Sequence, residues 1–326
     1  MEDSPSLADS SPGPPRWLPW LQLLRLPNVF TAIADVSMGY LLGGGQSWGA
    51  WLPVVAATCC LYLAGMVLND VFDAELDRAE RPSRPIPSGR IQRRHAAALG
   101  WWLLAAGIFC GWLAGRAAAV SPSPAFLGWL RPDFLGVLLA ANIVLYDGPL
   151  KTTWLGPLAM GMCRSLNILM GMSVMADAAF WQDSGGWLAA AGIGVYVMGV
   201  TWFARHEAGT SPRAGLLHGA AWMLAGQCLL VLVAPAGRVS SSPGLEGRTL
   251  LGLLLALYSI PVWSRAAWAI RSQTGRDVQM TVREALLTLP FFDFCLAWLL
   301  VGGPPALAIM LLVLPARYLS RWIRVT

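Results

Sequence analysis

Residues 51–78 read WLPVVAATCCLYLAGMVLNDVFDAELDR, and the fold follows from how this stretch changes along its length. No charge interrupts positions 51–68. A helix over 51–72 would be about 33 Å long, roughly the thickness of a bilayer's hydrocarbon core. Similar apolar runs fall at about 28–43, 95–115, 132–147, 155–175, 186–204, 214–234 and 249–270. A last run, 286–319, is divisible into two short spans at Gly302-Gly303-Pro304-Pro305, or reads as one helix followed by a surface segment. The 326-residue chain is 56% hydrophobic and 13% charged, about half the charge of a soluble domain. Its mean hydropathy is +0.55. These values exclude a water-facing enzyme, and the apolar content excludes general disorder. The expected fold is all-α, a polytopic transmembrane bundle of nine or ten helices. Residues 1–15, rich in Ser, Pro and Asp, read as a disordered tail. With no basic segment leading into an apolar one, no cleaved signal peptide is expected there.

Arginine placement orients the bundle. Arg78, Arg81, Arg84, Arg90, Arg93 and Arg94 follow the quoted helix, whereas residues 44–50 carry no basic residue. Assigning the Arg-rich segment to the cytoplasm and alternating sides also brings Arg16, Arg25, Lys151, Arg205, Arg213, Arg271, Arg276 and Arg283 inside, leaving Arg116, Arg131, Arg238 and Arg248 opposite. That asymmetry obeys the positive-inside rule. The net charge of +5 thus belongs to headgroups and topology, with no nucleic-acid partner implied. The six cysteines lie inside apolar runs without metal-type pairing and read as small buried thiols.

Asn69-Asp70-Val71-Phe72-Asp73-Ala74-Glu75-Leu76-Asp77 closes the quoted helix. At i, i+3 and i+7, Asp70, Asp73 and Asp77 share a face. They sit at a helix C-terminus, where the macrodipole opposes anions, so a cation should neutralise them. Two sources are open. One is Mg²⁺, which pairs one or two carboxylates with substrate phosphates. The other is the arginines of the loop that follows, Arg81-Pro82-Ser83-Arg84-Pro85-Ile86-Pro87-Ser88-Gly89-Arg90. Three prolines hold that loop extended, and Arg84 and Ser88 offer donors to an anion. Carboxylates beside such a loop would make a diphosphate site; the same arginines also serve as a plain topology signal.

This motif and its Arg-Pro-Ile-Pro-Ser-Gly loop resemble the UbiA family of membrane-embedded prenyltransferases. Arg25-Leu26-Pro27-Asn28 resembles that family's approach to its first helix. Tyr146-Asp147-Gly148-Pro149-Leu150-Lys151 resembles its Tyr-x-x-x-Leu-Lys loop, and Gly161-Met162-Cys163-Arg164-Ser165-Leu166-Asn167 its Gly-x-x-Arg-x-x-Asn pattern. The resemblance implies one domain over 16–326, with a central cavity open to the cytoplasmic side and laterally to lipid. It also implies transfer of a prenyl group from an isoprenyl diphosphate to an acceptor, often an aromatic ring. Asn69, Asp70, Asp73 and Asp77 would hold Mg²⁺ and the diphosphate. Lys151, Arg164 and Arg25 would neutralise phosphate oxygens, with Asn28, Asn167 and Tyr146 as polar lining. Membrane lipid is the expected surrounding partner.

One departure is visible. Where the family usually carries a second Asp-rich motif, this chain reads Phe203-Ala204-Arg205-His206-Glu207-Ala208-Gly209-Thr210-Ser211, with Glu207 its one carboxylate. Arg205 would then stand in for a second metal. This variant resembles the EboC branch, tied to handling of lipid-like metabolites, and keeps open a non-catalytic relative that binds or helps move such a precursor. Asp35 and Asp293 are intramembrane carboxylates, hence candidates to line the cavity or to bond helices together. Asp147 reads equally as a turn residue, and His95 and His218 as helix-start or interface residues.

Overall fold

The computed structural model describes residues 17–117, 129–205, 211–233 and 245–322. The expected N-terminal tail and Glu207 lie outside the described residues. Among those described, regular structure is wholly helical: α1 (Leu18–Leu24), α2 (Val29–Leu42), α3 (Trp48–Phe72), α4 (Ala74–Glu80), α5 (Arg93–Ala117), α6 (Pro132–Leu145), α7 (Gly156–Met172), α8 (Ala178–Gln182), α9 (Ser184–Ala204), α10 (Arg213–Val231), α11 (Leu245–Ser272), α12 (Gly275–Leu300), α13 (Pro304–Leu311) and α14 (Val313–Trp322). The apolar runs and these helices agree closely, because in lipid every backbone group must be satisfied within its own segment.

Six helical segments among the described residues are long and apolar enough to cross a bilayer: Trp48–Phe72, Arg93–Ala117, Pro132–Leu150, Ser184–Ala204, Arg213–Val231 and Gly247–Ser272. The expected nine or ten spans are not reached by length and apolarity alone. The reason is physical. With 14 and 17 residues, α2 and α7 rise only about 21 and 26 Å, and α12 opens with Arg276, Asp277, Arg283 and Glu284. Those three helices are nevertheless packed into the bundle, α7 and α12 both lying against α2. The chain breaks at Gly302 and Gly303, both with positive φ. From there α13 runs back along α12 and α2, and α14 reaches α2 and the short 3₁₀ turn Leu26–Asn28.

Most long helices pack on the next in sequence, and α12 closes the ring onto α2. Lipid tails are as apolar as the helices, so close packing and interhelical hydrogen bonds, rather than water exclusion, hold such a ring together. The α2–α7 contact shows the first. A Cβ on Gly171 would stand 2.2 Å from the Val36 carbonyl oxygen, and one on Gly39 would stand 2.3 Å from that of Ile168. The α10–α11 contact shows the second: Gln227 donates to Ser259 Oγ at 2.8 Å and accepts from Trp263 Nε1 at 3.2 Å. At the start of α12, the Ser272 and Thr274 hydroxyls donate to Asp277 and hold its carboxyl below the usual carboxylate range.

Candidate functional site

A cavity of about 530 Å³ is enclosed by α2, α3, α4, α6, α7, α9 and α12. One end is polar, reaching Glu80 and Arg81 at the end of α4. Its inner wall carries Leu61, Leu139, Ile143, Val197, Val200 and Leu286. Such a vessel suits a charged head and an apolar tail.

The acidic helix end forms one rim. The helix is interrupted at Asp73, where α3 gives way to α4, and the three aspartates part company there. Arg84 Nη1 donates to Asp77 Oδ2 at 2.6 Å and approaches Asp70 Oδ1 at 3.4 Å. Arg25 Nη2 donates to the same Asp70 oxygen at 2.8 Å. All three carboxyl-to-arginine contacts are largely shielded, with Arg84, Asp70 and Asp77 buried. Asp73 instead turns to the Lys151 ammonium. Asn69, Asp73 and Asp77 line the cavity, whereas Asp70 stands behind it. Arg84 is thus the loop arginine in contact with Asp70 and Asp77, and Arg25, ahead of α2, shares Asp70 with it.

Arg25 reaches Asp70 from an unusual backbone. Its φ of 45° is left-handed and closes α1 ahead of Leu26-Pro27-Asn28. For a residue with a Cβ this costs on the order of 1 kcal/mol. Strain of this kind gathers where structure is held for a purpose. Asn28, three residues on, lines the cavity with Arg25.

The opposite rim is built by a local change of helix pitch. After α6 the chain makes one π-helical turn, Tyr146–Leu150, with the Lys151 N–H donating to the Tyr146 carbonyl at 3.0 Å. Such wide turns re-aim side chains and recur at functional sites. Here Tyr146, Asp147 and Lys151 all face the cavity. Asn69 Nδ2 donates to Asp147 Oδ1 at 3.0 Å, while Asp147 Oδ2 is buried without a partner. Arg205, at the end of α9, donates to the Thr152 carbonyl at 3.2 Å, stacks over Trp202 and lines the same rim.

Two expected site residues lie deeper. Arg164 donates to Asp35 Oδ2 at 2.5 Å and to Thr31 Oγ1 at 3.0 Å, and its guanidinium lies 5.7 Å from the Tyr62 ring centre. Tyr62 precedes Asp70 by eight residues on α3, about 12 Å along the helix. Arg164 is thus set well below the acidic rim, engaged with Asp35 rather than grouped with Lys151. Asn167 accepts from Thr58 Oγ1 at 2.7 Å and donates to the Ala32 carbonyl at 2.9 Å, tying α7 to α3 and α2. Ser88 does not line the cavity. Its hydroxyl donates to the Arg84 carbonyl at 2.7 Å and accepts from Arg90 Nε at 3.0 Å, bracing the loop that delivers Arg84. That loop is wound through successive turns and not extended as its prolines predict.

Asp147, set beside a turn reading in the sequence, is the carboxylate at the rim that keeps one oxygen without a partner. Its signal was its place next to Tyr146 in the matching loop. Thr31, Thr58 and Tyr62 gave no signal, since hydroxyls inside an apolar run are common.

The donors at the rim suit Mg²⁺ in one particular way. Among the described residues no three His, Cys, Asp or Glu side chains converge as a metal cage. Asn69, Asp73, Asp77 and Asp147, all carrying hard oxygens, do line the cavity together, and Asp147 Oδ2 is left without a partner. That set fits an ion held by one or two carboxylates and completed by phosphate oxygens.

The sequence profile of the UbiA prenyltransferase family matches residues 28–282. A digeranylgeranylglyceryl phosphate synthase of Methanopyrus kandleri is 43% identical over 91 residues, 27% of this chain and 33% of that one. A synthase of the same name from Saccharolobus solfataricus is 29% identical over 174 residues, 52% and 54% of the two chains. The chain thus spans between a third and about half the length of these curated relatives. A UbiA homologue from Aeropyrum pernix superposes with a TM-score of 0.58 at 20% identity, over 81% of this chain and 96% of that one. One from Archaeoglobus fulgidus, bound to DMAPP and Mg²⁺, superposes with 0.53 at 12% identity, over 83% and 98%. At such identities the likeness is one of fold.

Proposed function

This chain belongs to the UbiA prenyltransferase family, and on that footing we propose that it is a Mg²⁺-dependent intramembrane prenyltransferase. It would move a prenyl group from an isoprenyl diphosphate to a small acceptor, an aromatic ring among the candidates. The observation that carries this reading is the single cavity whose rim gathers Asn69, Asp73, Asp77, Asp147, Lys151 and Arg205 above an apolar wall. Lys151 and Arg205 accept the negative charge that develops on the leaving diphosphate, an electrostatic contribution that is often the largest in such reactions. Bound Mg²⁺ would add Lewis-acid stabilisation of that same charge. Tyr62, Tyr146 and the aliphatic wall keep water from the allylic cation, whose charge an aromatic face can stabilise. The arginine asymmetry supports a cell (inner) membrane location with the acidic rim toward the cytoplasm.

A second reading keeps the cavity without the chemistry: a lipid-handling relative, in the manner of the EboC branch. The motif around Arg205 favours it, because a second acidic cluster is missing from 203–211. To decide, binding of a non-hydrolysable farnesyl diphosphate analogue to the detergent-purified chain is measured with and without Mg²⁺, with Asp73→Asn alongside. Turnover of geranylgeranyl diphosphate then follows against aromatic acceptors and, because of the relatives' name, a glyceryl phosphate lipid. Mg²⁺-dependent binding lost in Asp73→Asn, followed by product, is the expected result. Folded protein that binds nothing overturns the reading in favour of the second.

A further inference from the structure

Two aspartates that the proposed chemistry does not use meet in the middle of the bundle. Asp35 on α2 and Asp293 on α12 are both fully buried, at 0% exposure. Their carboxyl groups lie within hydrogen-bonding reach of each other. Arg164 from α7 reaches Asp35 Oδ2, and through Arg164 the pair touches the cavity wall. No donor among the described residues reaches Asp35 Oδ1 or either oxygen of Asp293. The other groups facing them are Thr31 on α2, Asn167 on α7, Tyr62 on α3 and Cys295 on α12. Arg164 is thus the one cation among these groups.

Two ionised carboxylates and a single guanidinium, taken out of water, would leave a net negative charge with three unsatisfied oxygens. Buried charges are not left in that state. Carboxyls in contact resolve it by sharing one proton, so that one member is a donor and the other a carboxylate. The arginine contact marks Asp35 as the ionised member and Asp293 as the protonated one.

We propose that Asp35 and Asp293 form a singly protonated carboxyl pair that holds Arg164 as a fixed, charge-balanced donor in the cavity wall. They are positioning residues acting through Arg164. Arg164 then presents its remaining N–H groups to whatever lies below the diphosphate, without placing an uncompensated positive charge beside a developing allylic cation. Asp293 lies past residue 282, beyond the stretch matched by the family profile. This part of the inference rests on the prenyl-transfer reading; the shared proton itself does not.

The test uses the full-length chain in lipid nanodiscs. Infrared difference spectroscopy between the parent and Asp293→Asn at neutral pH isolates the carbonyl stretch of the Asp293 carboxyl from that of Asp147, whose own unpartnered oxygen is common to both proteins, and a protonated-carboxyl band is expected in that difference. Asparagine also imitates the protonated partner. Asp293→Asn should therefore bind the farnesyl diphosphate analogue, with Mg²⁺, within about twofold of the parent, whereas Asp35→Asn should weaken it about tenfold or more, as for a buried charge stripped of its partner. Should the parent bind no analogue, thermal unfolding takes its place, with Asp293→Asn near the parent and Asp35→Asn well below it. Should Asp35→Asn not fold, the infrared comparison of parent and Asp293→Asn still decides. Absence of the protonated band, or equal damage from the two asparagines, overturns the proposal.

Discussion

Replacing Arg84 by methionine tests whether this arginine is a clamp on the acidic helix end or a ligand for substrate. Its side chain is 7% exposed, and those of Asp77 and Asp70 are 5% and 6% exposed. Methionine keeps most of the volume and removes the charge. Asp77 then loses the cation 2.6 Å away and no other salt bridge reaches it among the described residues, whereas Asp70 keeps Arg25 at 2.8 Å. Stripping one partner from a buried pair costs about 3–5 kcal/mol. Since one of the two carboxylates remains paired, the lower end, about 3 kcal/mol, is expected. Arg25→Met is the control. Arg25 is 21% exposed, and Asp70 retains Arg84 after its loss, so about 1 kcal/mol is expected there. Unfolding followed by tryptophan fluorescence in detergent gives both values. The double variant Arg84→Met with Asp77→Asn should recover part of the loss, because the orphaned charge is gone. Were Arg84→Met as stable as the parent, or no worse than Arg25→Met, the clamp would be refuted and direct contact with substrate favoured.

Three other substitutions separate binding from folding. Lys151→Met should weaken the diphosphate analogue about tenfold by removing one charge-assisted contact, yet shift stability by less than about 1 kcal/mol, since the Lys151–Asp73 pair is partly solvated; isothermal titration and unfolding curves read the two effects. Gly171→Ala should destabilise by about 1–3 kcal/mol by overpacking, because its Cβ would meet the Val36 carbonyl at 2.2 Å, and unfolding curves check it. Ser88→Ala should cost about 1 kcal/mol through the loop hydrogen bond, leaving analogue affinity unchanged; a large loss of affinity would mean that its hydroxyl meets substrate after all.

Helix positions were legible in the sequence because lipid admits so few alternatives. An 18-residue apolar stretch such as 51–68 has little choice but to be helix. Which segments span was less legible. Short α2 and charged α12 earn their places by packing against other helices, as Gly39 and Gly171 show, and hydropathy does not register packing. At the site, the i, i+3, i+7 spacing placed three aspartates on one face. It could not reveal the interruption at Asp73, which sends that side chain to Lys151 and leaves Asp77 to Arg84 and Asp70 to Arg25 and Arg84. Asp147 and the Asp35–Asp293 contact depend on partners 78 and 258 positions away in the chain, a separation that no local pattern carries.

Among the described residues the rim sets five carboxylates, Asp70, Asp73, Asp77, Glu80 and Asp147, against five cations, Arg25, Arg81, Arg84, Lys151 and Arg205. On the prenyl-transfer reading, substrate capture would be a swap of partners within a balanced ionic lattice, and not the filling of a bare positive bowl. A diphosphate arriving with Mg²⁺ would insert by trading carboxylate–ammonium contacts for new ones, the carboxylates turning to the cation and Lys151 and the arginines to the phosphates. Such a swap changes the net charge of the rim little. Its affinity should then respond only weakly to ionic strength, unlike that of an anion drawn to an unpaired basic surface.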